Sequence, residues 1–210
     1  ALCTAAESLV ASDPSLLPDD PPERLVFYTQ HCMWSSAEQA VADGADANTL
    51  LELGKGRPLA VVGHAVSRRP PAPLSTVQCL VESGGAEVRC IEGSSGSTLL
   101  HLASEGSGGD VLSYLMSQGL DPHATDESGR LPLHAACAAE NLAAARWWVE
   151  DQGVEVDVED STGNTPLMSA TPSDFRRREV VGYLVTCTDA GLTASEDVVV
   201  SLAFVLLAVS

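Results

Sequence analysis

Apolar positions along the chain come in short helical stretches arranged in pairs, each pair closed by a turn rich in Gly, Asp or Pro. Residues 23–33 and 37–48 predict the first pair, ending on Gly44-Ala45-Asp46. Residues 59–66 and 74–82 predict the next. Between these two helices lies Ser67-Arg68-Arg69-Pro70-Pro71-Ala72-Pro73, which breaks any helix and lengthens the unit. A last pair, 166–170 and about 179–186, brackets Pro172 and Arg176-Arg177-Arg178. Residues 2–10 predict an N-terminal helix, 13–22 a Pro- and Asp-rich linker, and 193–210 an apolar helix that covers the final exposed face. Alanine dominates the apolar set and aromatic residues make up only 4%, a composition that suits closely stacked helices better than a sheet core.

The central pairs repeat. Gly96-Ser97-Thr98-Leu99-Leu100-His101, Gly129-Arg130-Leu131-Pro132-Leu133-His134 and Gly163-Asn164-Thr165-Pro166-Leu167-Met168 align at spacings of 33 and then 34 residues. Small residues follow each motif: Ala103, then Ala135-Ala136-Cys137-Ala138-Ala139, then Ala170. The first two units close on Gln118-Gly119-Leu120-Asp121 and Gln152-Gly153-Val154-Glu155. Pro in the first helical turn costs nothing, because its missing N–H had no partner there. Glycine after the second helix supplies a left-handed residue.

This pattern resembles the ankyrin repeat, whose T-P-L-H and G-A-D signatures sit in a unit of about 33 residues. The resemblance implies an all-α architecture: an α-solenoid of about five helix-turn-helix repeats with short hairpin loops and a C-terminal capping helix. The units would span about 22–53, 54–91, 92–124, 125–158 and 159–191, with 1–21 as a lead-in and 192–210 as the cap. In the second unit the motif would start near Arg57-Pro58-Leu59, without its Thr or His. His101 and His134 would tie neighbouring loops together, and Met168 would break that pattern in the fifth unit. By the same resemblance, partner contacts come from hairpin tips and the exposed side of each first helix. Those positions are Ser94, Ser95, Ser97 and Glu105, then Glu127, Ser128 and Arg130, then Ser161, Thr162 and Asn164.

Charge sharpens this into a binding function. The formal net charge is −18, with 29 acidic residues against 11 basic, which argues against nucleic acid and for a protein partner with a basic surface. Glu150, Asp151, Glu155, Asp157, Glu159 and Asp160 form the densest acidic run. They lack the alternating ligands and closing Glu of a calcium loop, so a solvated face or a docking patch is expected. Trp147 and Trp148 stand where the family has leucines; one should fill space beside the alanine-rich helix, and Trp148 is the candidate interface anchor.

No hydrolase elbow, zinc-protease helix, phosphate-binding loop or dinucleotide fingerprint is present, so no enzyme activity, cofactor, metal or small-molecule substrate is expected. His31 and Cys32 are adjacent, but within an apolar helix they would point to different faces. Six cysteines scattered without metal spacing suggest free thiols in a reducing intracellular compartment, cytoplasm or an organelle interior. The apolar run 198–209 is shorter than the ~20 residues of a membrane span, so membrane contact is conceivable only through it. The expected function is a non-catalytic scaffold or adaptor. A peripheral subunit of a large assembly and a regulatory repeat fragment of an enzyme are the alternatives.

Overall fold

A computed structural model describes residues 10, 13, 17–51, 59–89, 95–170 and 178–189. Five helix pairs follow one another along the chain. They are α1 Pro21–Gln30 with α2 Trp34–Ala42, α3 Val61–Ser67 with α4 Leu74–Gln78, and α5 Leu99–Gly106 with α6 Gly109–Ser117. After these come α7 Pro132–Ala138 with α8 Leu142–Arg146, and α9 Pro166–Ser169 with α10 Arg178–Asp189. Wider π-helical turns, Cys79–Ser83 and Trp147–Asp151, extend α4 and α8. A two-residue antiparallel ladder, β1 Leu50–Leu51 against β2 Leu59–Ala60, joins the first two units. The helical solenoid expected from the repeat is therefore the architecture observed, with this ladder as its only sheet among the described residues.

First helices pack on first helices along the array: α1 on α3, α3 on α5, α5 on α7 and α7 on α9. Small residues permit the approach. Ala65, Ala103, Ala136 and Ala170 each sit five residues beyond their helix's N-cap and are all buried. That register corrects the second unit. Its motif is Ala60-Val61-Val62-Gly63, three residues later than Arg57-Pro58-Leu59, because α3 starts at Val61 and Leu59 belongs to the short ladder.

The first unit differs from expectation too. Helix α1 ends at Gln30, and Cys32 turns into the left-handed region at φ 57°, so His31 and Cys32 lie in the inter-helix turn and not within a helix. The expected helices at 2–10 and 193–210 fall outside the described residues, apart from Val10. Among the described residues no helix is long and apolar enough to cross a membrane, and no group of three or more His, Cys, Asp or Glu side chains could hold a metal ion.

Polar side chains stitch the units together. Asn48 donates to Gly85 O at 3.0 Å and accepts from Glu87 N at 2.8 Å, joining the first and second closing turns. Asn141 donates to Ser104 O and Ser107 O at 3.0 and 2.7 Å, while its own Oδ1 accepts from Ala144 N at the start of α8. Ser107 in turn donates to Val66 O at 2.8 Å. Carbonyls of a helix's last turn lack intrahelical partners, and here the neighbouring unit supplies them.

Candidate functional site

The hairpins that lead into the fourth and fifth units are each built on one carboxylate, Asp126 and Asp160. Asp126 accepts the N–H groups of Ser128 and Arg130 at 2.9 Å and the Arg130 Nε at 2.8 Å, and pairs with Arg130 Nη2 at 2.7 Å. Burial pushes the Asp126 carboxyl up, but the Arg130 and Ser128 donors outweigh it and hold it below its ordinary range. In the next hairpin Asp160 accepts from Asn164 N at 2.9 Å and from Thr162 Oγ1 and N at 2.7 and 2.8 Å, which also keeps it low. The side chains of Arg130, Asp160, Thr162 and Asn164 therefore shape the tips themselves.

Successive tips touch through backbone. Glu127 N donates to Ser95 O at 2.9 Å, and Ser161 N to Ser128 O at 3.0 Å. Gly129 makes the second approach possible: its φ is +74°, and a Cβ there would lie 2.2 Å from Ser161 Oγ and 2.9 Å from Ser161 N. We expect Gly129→Ala to cost about 1–2 kcal/mol in urea denaturation, from left-handed strain plus the displaced hairpin. A change below about 0.5 kcal/mol would show that the hairpins are not coupled this tightly.

His101 and His134 anchor the tips from below. His101 accepts from Thr98 N at Nδ1 (3.2 Å) and bonds Arg130 O through Nε2 (2.8 Å). His134 accepts from Leu131 N at 3.1 Å and reaches Asn164 O at 3.2 Å. One acceptor and one donor per ring require the neutral Nε2–H tautomer. Burial favours it by lowering both pKa values. With both nitrogens committed, neither imidazole is available as a base.

The remaining candidates divide by exposure. Glu127, Ser128 and Ser161 are exposed on the tips, whereas Ser97 is buried and Ser94 lies outside the described residues. Over 154–159 Val154 and Val156 are buried and Val158 half-buried, whereas Glu155, Asp157 and Glu159 are all exposed. Each of the first four closing turns places an exposed acid right after a buried or half-buried apolar residue: Asp46, Glu87, Asp121 and Glu155. Trp148 is a correction. Its indole is fully buried and donates to Ser104 Oγ at 2.8 Å, so it cannot anchor a partner. Trp147 is the half-exposed ring, laid over Gly109, where a Cβ would come within 2.5 Å of it.

Between the third and fourth units lies a recess of about 240 Å³, lined by Glu105, Ala135, Ala138, Ala139 and the Asp126–Arg130 pair among others. Arg69 of the 67–73 insertion, itself not part of that lining, bonds the carbonyls of Glu105 and Ala139. Nothing in the local sequence pattern marks Arg69 for this position. Only its place beside four closely spaced proline and alanine residues, in a loop too rigid to be a mere spacer, could have drawn attention to it.

The family model for ankyrin repeats in three copies matches residues 63–160 and, overlapping them, 100–195. The chain is 36% identical to human neurogenic locus notch homolog protein 4 over 87 residues, which is 41% of this chain and 4% of that protein. It is 32% identical to the Drosophila melanogaster neurogenic locus Notch protein over 98 residues, 46% of this chain and again 4% of that protein. ZDHHC13 of Danio rerio, a protein named as a palmitoyltransferase, is 33% identical over 116 residues, 55% of this chain and 18% of its own length. The chain thus spans a small fraction of these relatives.

Proposed function

The chain belongs to the ankyrin-repeat family, and we propose from that premise that it is a non-catalytic protein-binding module whose partner presents a basic surface. Ankyrin repeats mediate protein–protein interaction, so the finer question is what this surface selects. The carrying observation is the acidic succession Asp46, Glu87, Asp121 and Glu155, one in each of the first four units, thickened in the fourth by Asp157 and Glu159. Regularly spaced like charges on a fixed scaffold steer an oppositely charged partner and reject acidic competitors more than they add raw affinity.

The test is affinity capture from native extract at about 0.05 M and 0.5 M salt, where screening lengths differ several-fold. Basic proteins should be retained at low salt and lost at high salt. The triple variant Glu155→Gln, Asp157→Asn, Glu159→Gln should lower that retention several-fold and leave stability within about 0.5 kcal/mol, since exposed sites tolerate substitution. Retention that ignores both salt and the triple variant would sink the electrostatic reading.

A second reading is favoured by ZDHHC13, in which the matched repeats are a small part of a protein named for enzymatic activity. Repeats of this kind would there bind on behalf of a larger protein. Activity that depends on covalently attached sequence beyond these 210 residues would support it.

A further inference from the structure

Cys32 is one of two non-glycine residues among those described whose backbone enters the left-handed region, at φ 57° in the turn between α1 and α2. Glycine meets that conformation without steric cost, so the turn itself gives no reason for a sulfur there. Arg68 of the 67–73 insertion lays its guanidinium against this turn. Its Nη2 donates to Gln30 O at 3.1 Å and to Cys32 Sγ at 3.8 Å.

Two buried polar atoms beside the sulfur are unused. Nε and Nη2 share one edge of a guanidinium, the edge that grips an oxyanion through two parallel hydrogen bonds. Here Nη2 faces the sulfur and a carbonyl, while Nε is buried and has no hydrogen-bond partner among the described residues. The Arg68 charge also acts on the ring of His64 in α3. That side chain is only 5% exposed, and its Nε2 likewise has no partner among the described residues. A buried donor without an acceptor is costly. A thiol accepts hydrogen bonds weakly, so one oxygen added to Cys32 would supply the acceptor that this place lacks. Two other thiols are less suited to react. Burial pushes Cys137 up to about 12, and burial and then the Glu38 carboxylate push Cys79 up, which keeps the reactive thiolate scarce at both.

We propose that Cys32 is a peroxide-sensitive thiol whose oxidised sulfur is held by the Arg68 guanidinium, with the His64 imidazole as a second donor. The Cys32 sulfur attacks one oxygen of hydrogen peroxide, so that an S–O bond forms as the O–O bond breaks. The sulfur loses two electrons, and the departing hydroxide takes the thiol proton and leaves as water. Cys32 becomes a sulfenic acid. During the transfer negative charge spreads over both peroxide oxygens, and preorganised donors such as the free guanidinium edge stabilise it. The product ties the first unit's turn to the second unit's insertion through a charge-assisted hydrogen bond. None of this depends on the basic-partner reading.

The test treats the folded chain with hydrogen peroxide, removes the excess with catalase, and unfolds the protein in urea with dimedone and iodoacetamide. Dimedone marks sulfenic acids and iodoacetamide the surviving thiols, and peptide mass spectrometry reads each cysteine. Cys32 should be oxidised about tenfold faster than Cys79 or Cys137, and urea added before the peroxide should erase the difference. Arg68→Gln should slow oxidation of Cys32 about fivefold, whereas Arg68→Lys, which keeps the charge without the fork, and His64→Leu should each slow it about twofold. Iodoacetamide offers these donors no peroxide oxygen, so its reaction with folded Cys32 should change less than about twofold in every variant. Circular dichroism checks that each variant is folded. Should Arg68→Gln fail to fold, the selectivity of the parent and the effect of His64→Leu decide. Oxidation of Cys32 no faster than that of Cys79 and Cys137 would overturn the proposal. So would oxidation that the variants leave unchanged, or that moves by the same factor as alkylation, the result expected if Arg68 only controls access to the sulfur.

Discussion

Replacing Trp148 by alanine is expected to cost about 3–5 kcal/mol, the upper range for a single truncation in a core. Trp148 is the largest fully buried side chain among the described residues, and it lies where α8 of the fourth unit meets α5 of the third. The equivalent positions are Leu80 in the second unit and Leu115 in the third, both fully buried. The ring fits because its neighbours shrink. Where the third unit has Val111 and Leu112 beside Leu115, the fourth has Ala144 and Ala145 beside Trp148. Truncation would therefore leave three adjacent small residues and a cavity no rotamer change can fill. It would also remove the donor to Ser104 Oγ, which itself donates to Leu100 O at 2.7 Å. Trp148→Phe separates the two contributions: it keeps most of the volume, loses the N–H, and should cost about 1–2 kcal/mol. Urea denaturation followed by far-ultraviolet circular dichroism measures both. A loss below about 1 kcal/mol for the alanine variant would mean that the interface between the third and fourth units does not depend on this ring.

That case also shows how far the sequence can be read. Repeat period, helix pairing and loop positions were legible because each rests on a local signal repeated at nearly constant spacing, such as Thr98, Leu131 and Thr165 at three helix starts. The burial of Trp148 was legible in principle. Ala144, Ala145 and Trp148 fall on one helical face, and the aligned Val111, Leu112 and Leu115 are plainly a core stripe. The expectation that one ring fills the space beside the alanine-rich helix holds, but that ring is Trp148 and not its neighbour. The second unit's motif lies three residues beyond the expected Arg57-Pro58-Leu59 because Ala60 and Gly63 carry none of the hydroxyl or imidazole chemistry that marks the motif elsewhere.

The candidate contacts divide on similar grounds. Glu127, Ser161 and the exposed Glu155, Asp157 and Glu159 could be placed from hairpin position and alternation alone. Arg130, Thr162 and Asn164 could not, because whether a polar tip residue faces a partner or folds onto its own Asp is decided by backbone geometry within the turn. Arg69 was the least legible. Its acceptors lie 36 and 70 residues away, and no pairwise pattern in the sequence links them.

Acidification is expected to destabilise the fold well above the pH at which its carboxylates protonate. Three buried histidines set this. Burial, and then the Arg68 charge, push the His64 imidazole from 6.5 down to about 4, and its Nε2 has no hydrogen-bond partner among the described residues. Burial lowers His101 and His134 as well. A folded-state pKa below the unfolded value means that the unfolded chain binds more protons between the two. The stabilisation is thus complete above about 6.5 and is lost as pH falls toward the folded values. For His64 alone, going from pH 7.5 to 5 removes about 2 kcal/mol. His101 and His134 add to the loss, because a proton on Nδ1 turns the acceptor facing Thr98 N or Leu131 N into a second donor. Asp126 and Asp160, held below their ordinary range, contribute only at more acid pH. Net charge works in the opposite sense, since protonation relieves the repulsion of a chain at −18, but most carboxylates remain ionised at pH 5. His64→Leu isolates the largest share: it preserves volume, cannot titrate, and should retain about 2 kcal/mol more of its neutral-pH stability at pH 5 than the parent does. Urea midpoints between pH 7.5 and 5 at constant ionic strength measure the difference. Parallel pH curves for parent and variant would show that His64 is not carried as a buried neutral ring.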